Sequence, residues 1–180
     1  MIYVENKRKK LINLQKQYPN AIIIDLTSKA EEPYVKFSPF YPHGDIPVPF
    51  SAGITAQSVE GIWQGLKVFQ GVDIDTSKFE ITTMKGLKRT VRKFGIPRGH
   101  RKGVSGTALL DYITARKLIY LPIFDWVLQH KLANLLKELH ELSKKQDLVF
   151  LDYETNGDVD DPNKPLSHAY LVKYAIERLE

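Results

Sequence analysis

Two glycines four residues apart constrain this chain more than any other feature. Gly61 and Gly65 stand inside SVEGIWQGLKVFQG (58–71), a segment with helical spacing. Each costs a helix interior about 1 kcal/mol against Ala. A helix that keeps both is expected to have another element packed close against it. Ser58 suits the N-cap, and Glu60 stands in the first turn, where the helix dipole favours a carboxylate. The spacing predicts a helix over 58–70, ended by Gly71. Val59, Ile62, Leu66 and Phe69 then form one apolar stripe for a core. Glu60, Gln64 and Lys67 fall on another face, within about 60° of arc, with Trp63 beside them. Such a face on a surface helix is commonly just solvated. A carboxylate, an amide, an amine and an indole on one glycine-flanked helix can equally line a site.

The segment just before, Phe37-Ser38-Pro39-Phe40-Tyr41-Pro42, packs aromatics and prolines where no regular helix can form. Aromatics on a stiffened loop either plug a core or build a stacking wall for a flat ligand. This segment, followed by Thr55 and by Ser58-Val59-Glu60 with Gln64 and Lys67, resembles the signature of the NADAR (YbiA-like) superfamily. The likeness runs from Phe37 to Lys67. It implies an N-glycosidase acting on a riboside, the removal of ADP-ribose from a modified nucleobase included. Cleavage of a C1′–N bond passes through a cationic, oxocarbenium-like state that a fixed carboxylate stabilises or helps water attack. The resemblance gives Glu60 that role. Lys67 would donate a proton or attack C1′ of an opened sugar, provided burial lowers its proton affinity. Phe40, Tyr41 and Trp63 would stack the base, with Phe37, Ser38 and Gln64 completing the substrate-binding set.

A chain of 180 residues reads as one domain, 1–180, since domains hold roughly 50–250 residues. The absence of cysteine excludes disulfides, thiolate metal sites and a Cys nucleophile, and fits a reducing compartment. No apolar run approaches the roughly 20 residues of a membrane span. MIYVENKRKK lacks the apolar core of a signal peptide, so a cytoplasmic protein with no membrane partner is expected. The net charge of +5 is unevenly placed: 81–110 holds eight Lys and Arg and no Asp or Glu. Such a block is either a solvated face or a seat for polyanions, phosphates or nucleic acid.

The expected fold class is α+β, a predominantly helical single domain with a small β-sheet. A basic helix is read over 5–17, a buried strand at 21–26 and a second strand at 34–37. The stretch 43–50, with alternate prolines, is an edge strand or an extended loop. Residues 78–84 alternate like a strand, and Leu87, Val91 and Phe94 then follow helical spacing into a loop over 95–103. Helical pattern resumes from Thr107 to Lys117. A further helix, with Pro122 in its first turn, runs to about Ser143. A strand at 147–153, a turn-rich loop at 154–165 and a closing helix from Ser167 complete the chain.

Other candidates follow from this layout. Arg98-Gly99-His100-Arg101, on a glycine-rich loop, suits phosphate, because guanidinium forks grip it bidentately and glycines admit backbone N–H groups. Asp152, at a strand end, is a further candidate catalytic carboxylate or a simple turn cap. Asn156 and His168 join the substrate-binding set, His168 having helix-start decoration as its alternative role. The acidic loop 158–163 lacks the glycine and closing glutamate of an EF-hand, and the histidines lack zinc spacing. No metal and no cofactor is expected. The partner is a nucleotide or ADP-ribosyl small molecule, with modified nucleic acid also in range. The alternative function is a non-catalytic nucleic-acid- or nucleotide-binding module that uses the basic 85–102 segment.

Overall fold

Described over residues 1–179, the computed structural model interleaves short strands with helices. In chain order the elements are β1 (Ile2–Asn6), α1 (Leu11–Gln17), β2 (Ile22–Asp25), β3 (Ile46–Pro47), β4 (Thr55–Ala56), α2 (Val59–Gly65) and β5 (Lys67–Val68). They continue as α3 (Val91–Phe94), β6 (Gly99–Arg101), β7 (Leu109–Leu110), α4 (Tyr112–Ala115), α5 (Leu121–His130), α6 (Ala133–Lys145), β8 (Leu148–Asp152) and α7 (His168–Glu177). Short stretches of 3-10 helix cover Tyr34–Phe37 and Thr76–Glu80, and a π-helical turn spans Arg116–Tyr120. With about 39% helix against 16% strand, the fold is α+β and mostly helical. By packing, the chain forms two compact units, neither of them one continuous stretch. The first holds Met1–Ser38, Leu128–Asp158 and the residues from Asn163 on; the second holds Pro39–Val127 and Val159–Pro162.

The first unit is built on the parallel sheet β1–β8–β2, with Val149 of the central strand between Tyr3 and Ile23. All of LVFLD in β8 is buried, as a strand covered on both faces requires. Leu14 of α1 packs on Val149 and Leu151. Helix α7 packs on β1, β8 and α6 and buries Ala169, Val172 and Ile176. Ser167 caps it, its Oγ accepting from the Tyr170 N–H. The strands read at 21–26 and 147–153 and the closing helix are therefore present. The helix read over 5–17 is not: residues 2–6 form β1, only Leu11–Gln17 is helical, and Leu11 is exposed. The strand read at 34–37 is a 3-10 turn.

In the second unit α2 begins where its cap predicts, with Ser58 Oγ accepting from the Gly61 N–H at 3.0 Å. The 3-10 turn Thr76–Glu80 closes on its glycines. A Cβ on Gly61 would lie 2.6 Å from the Lys78 carbonyl oxygen, and one on Gly65 2.5 Å from Cε1 of Phe79. Val59, Ile62, Leu66 and Phe69 are all buried. The helix stops at Gly65, however, and Lys67 lies on β5, at the edge of the antiparallel sheet β5–β6–β7. Gly71, at φ +73°, turns the chain between Phe69 and Val72 and does not cap α2.

Further corrections follow downstream. The alternating 78–84 stretch forms no strand, and the helical spacing of Leu87, Val91 and Phe94 yields only the one turn of α3. The glycine-rich 95–103 stretch supplies β6 instead of a loop. Strand β7 precedes the helices, and the long helix read from Pro122 breaks at Lys131–Leu132 into α5 and α6. Strands β3 and β4 pair antiparallel, so 43–50 contributes one short strand. No helix among the described residues is long and apolar enough to cross a membrane.

Candidate active site

Helix α2 carries Glu60 and Gln64, both buried. Side chains four apart on a helix meet, and Gln64 Nε2 donates to Glu60 Oε1 at 2.7 Å. The Gln64 oxygen accepts from the backbone N–H of Arg89 at 3.0 Å, which orients its amide with the NH₂ toward the carboxylate. The Glu60 backbone N–H donates to the Pro39 carbonyl at 2.8 Å, tying the aromatic segment to the start of α2.

Lys67 follows on β5 and is half-buried. Burial lowers its pKa below the ordinary lysine range; the Glu60 charge opposes this, while Arg89 and Lys88 add to it. Two groups read as lying along one helix face thus stand on different elements, the chain leaving the helix at Leu66, and the Glu60 charge still acts on Lys67.

His100 on β6 is the cross-strand partner of Lys67. Directly opposed residues of antiparallel strands project to the same face. The imidazole is 2% exposed and stacks on Trp63, with ring centroids 3.8 Å apart and planes 29° off parallel. Neither ring nitrogen has a hydrogen-bond partner. Burial first, and the Lys67 charge second, push the pKa down to about 3; a Trp63 backbone group short of full hydrogen-bond geometry opposes weakly. His100 is therefore a neutral ring in a buried wall, and not a cation reaching for phosphate.

Arg89 went unnoticed in the sequence, where it is one cation of a basic block. It is 3% exposed, and its guanidinium donates to the carbonyls of Gln64 at 3.3 Å, Lys67 at 2.6 Å and Asp73 at 2.7 Å. It also lies over the rings of Phe69 and Phe94, at 4.8 and 5.2 Å. One guanidinium thereby pins the end of α2, the start of β5 and the loop beyond. No sequence signal set Arg89 apart from its neighbour Lys88: the fold buries Leu87 and Arg89 and leaves Lys88 exposed.

A family model described as a family of unknown function (DUF6939) matches residues 6–172. The chain belongs to the DUF6939 family. No curated protein and no solved structure matches it. The DUF6939 match spans Glu60, Lys67, Arg89 and His100 of the second unit, and Asp152 and His168 of the first.

The remaining predicted residues of this DUF6939 chain divide between the units. Phe40 and Tyr41 are half-buried in the second, with the Lys88 ammonium 5.5 Å above the Phe40 ring and Tyr41 tilted against His43 at 4.8 Å. Trp63 has one face under His100 and Tyr120 edge-on at 5.5 Å. Arg98 is exposed, whereas Arg101 donates to Asp73 at 2.5 Å and to the Gly106 carbonyl at 3.3 Å. Of the three side chains read as a phosphate grip, Arg98 alone makes no side-chain hydrogen bond or ring stack among the described residues. Phe37 and Ser38 are buried in the first unit and present no surface to a ligand.

Asp152 and His168 meet in the first unit, but in a structural arrangement. Asp152 Oδ2 accepts from Ser167 Oγ at 2.7 Å and faces His168 Nδ1 at 3.1 Å, while His168 Nε2 faces the Leu26 carbonyl at 2.7 Å. A serine nucleophile would need its hydroxyl on the imidazole. Here the serine bonds the carboxylate, and the far ring nitrogen ties α7 to the end of β2. Asn156 likewise closes its own loop, donating to the carbonyls of Asp158 and Lys164 and accepting from the Asp158 N–H. Among the described residues no group of three His, Asp or Glu side chains is placed to hold a metal ion.

Proposed function

We propose that this chain is a hydrolase of N-glycosidic bonds, acting in the cytoplasm on a nucleotide or an ADP-ribosylated nucleobase. The observation that carries this reading is the buried Glu60 carboxylate, oriented by Gln64 and set against a half-buried Lys67 of lowered pKa. The likeness of the Phe37–Lys67 stretch to NADAR N-glycosidases supports the same assignment. Glu60 offsets the positive charge that grows at C1′ as the bond to nitrogen lengthens. Lys67 adds through its free amine to C1′, and the departing base takes the proton that nitrogen sheds on bonding. The glycosylamine opens to an imine as a proton passes from its nitrogen to the ring oxygen, and water then adds at C1′ and releases Lys67 as the free amine. Phe40 and Tyr41 stack the base, the Trp63 face being covered by His100. The exposed Arg98 holds phosphate.

The test is incubation with a panel of ADP-ribosylated bases and nucleotides, with released base and sugar read by mass spectrometry. Release by the parent and none by Glu60→Gln is expected. No release from any member by the parent refutes the assignment.

A second reading is favoured by one observation: Lys85, Lys88, Arg92, Lys93, Arg98 and Lys102 are all exposed. They suit a nucleic-acid backbone without any turnover. Tight binding of nucleic acid that weakens steeply with salt, together with an inactive panel, would select it.

A further inference from the structure

The chain from Thr90 to Arg98 makes a short excursion between two fixed feet. At one, the Arg89 guanidinium donates to the carbonyls of Gln64, Lys67 and Asp73. At the other, the Arg98 N–H donates to the Val68 carbonyl at 2.7 Å. Between them the Phe94 ring packs on Phe69, with centroids 5.2 Å apart. What the loop leaves in water is aliphatic and basic. Ile96 is 80% exposed, more than any other large apolar side chain among the described residues, and Val91 is 58% exposed. The Gly95 N–H returns to the Val91 carbonyl at 2.8 Å, which sets Ile96 beside Val91. Arg92 and Lys93, between the two, are exposed as well. The carboxylates that act on Arg89, Asp73 and Asp75, are already engaged, by Arg101 and by Ser77.

Aliphatic side chains held out on a fixed loop gain free energy when they leave water. Whatever covers these must be apolar within and anionic at its surface, since 81–110 carries eight cations and no carboxylate. A bilayer with anionic headgroups has both properties. Nucleic acid offers the charge, but its bases are held by stacking on aromatic rings. The one ring of this loop, Phe94, is spent on Phe69. A second copy of the chain would set the same cations against each other.

We propose that the Thr90–Arg98 loop docks the protein on an anionic membrane surface. Val91 and Ile96 enter below the headgroups, and Arg92 and Lys93 meet lipid phosphate. Such a contact needs no spanning helix. The feet already fix the loop, so little ordering entropy opposes docking. The proposal does not depend on the N-glycosidase reading.

Co-sedimentation of the full chain with two sets of vesicles tests it, one of phosphatidylcholine alone and one with about 30% phosphatidylserine. The protein should sediment with the anionic set and stay in solution with the neutral one. Val91→Ser combined with Ile96→Ser keeps every charge and should weaken binding at least about tenfold. Both positions are exposed, so the thermal midpoint should not move; if the pair fails to fold, Ile96→Ser alone supplies the comparison. Arg92→Gln combined with Lys93→Gln should weaken binding about 20–30-fold, at about fivefold for each cation near the surface. No sedimentation with the anionic vesicles overturns the proposal. So does full binding by the serine variant, which would reduce the contact to charge alone. Retention by a DNA oligonucleotide with none by vesicles gives this face to nucleic acid, and overturns it too.

Discussion

Replacing His100 by phenylalanine should make the protein less sensitive to acid. The native imidazole titrates near 3, against an ordinary 6.5 in the unfolded chain. As pH falls below 6.5 the unfolded state takes up a proton that the native state refuses. Stability is therefore intact above 6.5, drains away between 6.5 and about 3, and is constant below that. Two pH units below the unfolded value, near pH 4.5, the loss is roughly 2–3 kcal/mol, at a little over 1 kcal/mol per unit. His100→Phe keeps the ring on Trp63 and lacks the proton site. The assay is urea unfolding of parent and variant near pH 7.5 and near pH 4.5. Other groups contribute equally to both proteins, so the difference between the two pH losses isolates His100. The parent should lose roughly 2–3 kcal/mol more than the variant. Parallel losses would show that His100 titrates normally in the folded protein, and the buried neutral ring would be wrong.

Lys67→Arg should abolish turnover, because a guanidinium does not readily yield its proton; borohydride added during turnover of the parent should fix a sugar-derived mass on Lys67. Full activity in Lys67→Arg would reduce the amine to a mere positive charge. Gly61→Ala, favourable by about 1 kcal/mol in an open helix, should instead lower stability by about 1–3 kcal/mol, since its Cβ would press on the Lys78 carbonyl. Thermal unfolding measures the sign directly, and a stabilised variant would mean that the Thr76–Glu80 turn yields. Arg89→Met should cost about 2–4 kcal/mol by taking the guanidinium donors from the carbonyls of Gln64, Lys67 and Asp73, measured in the same unfolding assay, with an unchanged midpoint as the contrary result.

Local chemistry was legible where it is decided locally. The Ser58 cap, the close approach at Gly61 and Gly65 and the buried run of β8 follow from neighbours along the chain. Elements fixed by distant partners were not. Leu66 and Phe69 fit a helical stripe, yet Lys67 and Val68 leave the helix to pair with His100 and Gly99, more than 30 residues away. Strand β1 hides beside a run of charges and is recruited by β8 from the other end of the chain. Among the site residues, the Phe37–Lys67 stretch supplied Glu60, Gln64 and Lys67 together. Asp152 and His168 had the right chemistry, but their bonding partners, Leu26 and Ser167, could be seen only in the fold. Arg89 was hidden because a buried guanidinium and a solvated one are identical in sequence.

The guanidinium of Arg89 grips main-chain oxygens at Gln64, Lys67 and Asp73, so the hydrogen bonds of the clamp use no side chain of Lys67 or Asp73. The frame and its cargo are separable there. A substitution at Lys67 removes the amine while its carbonyl stays in the clamp, so chemistry can be deleted, or exchanged for another, with the scaffold undisturbed. Positions held in this way are where new reactivity can be installed one side chain at a time, and β5 offers one such position directly opposite a buried imidazole.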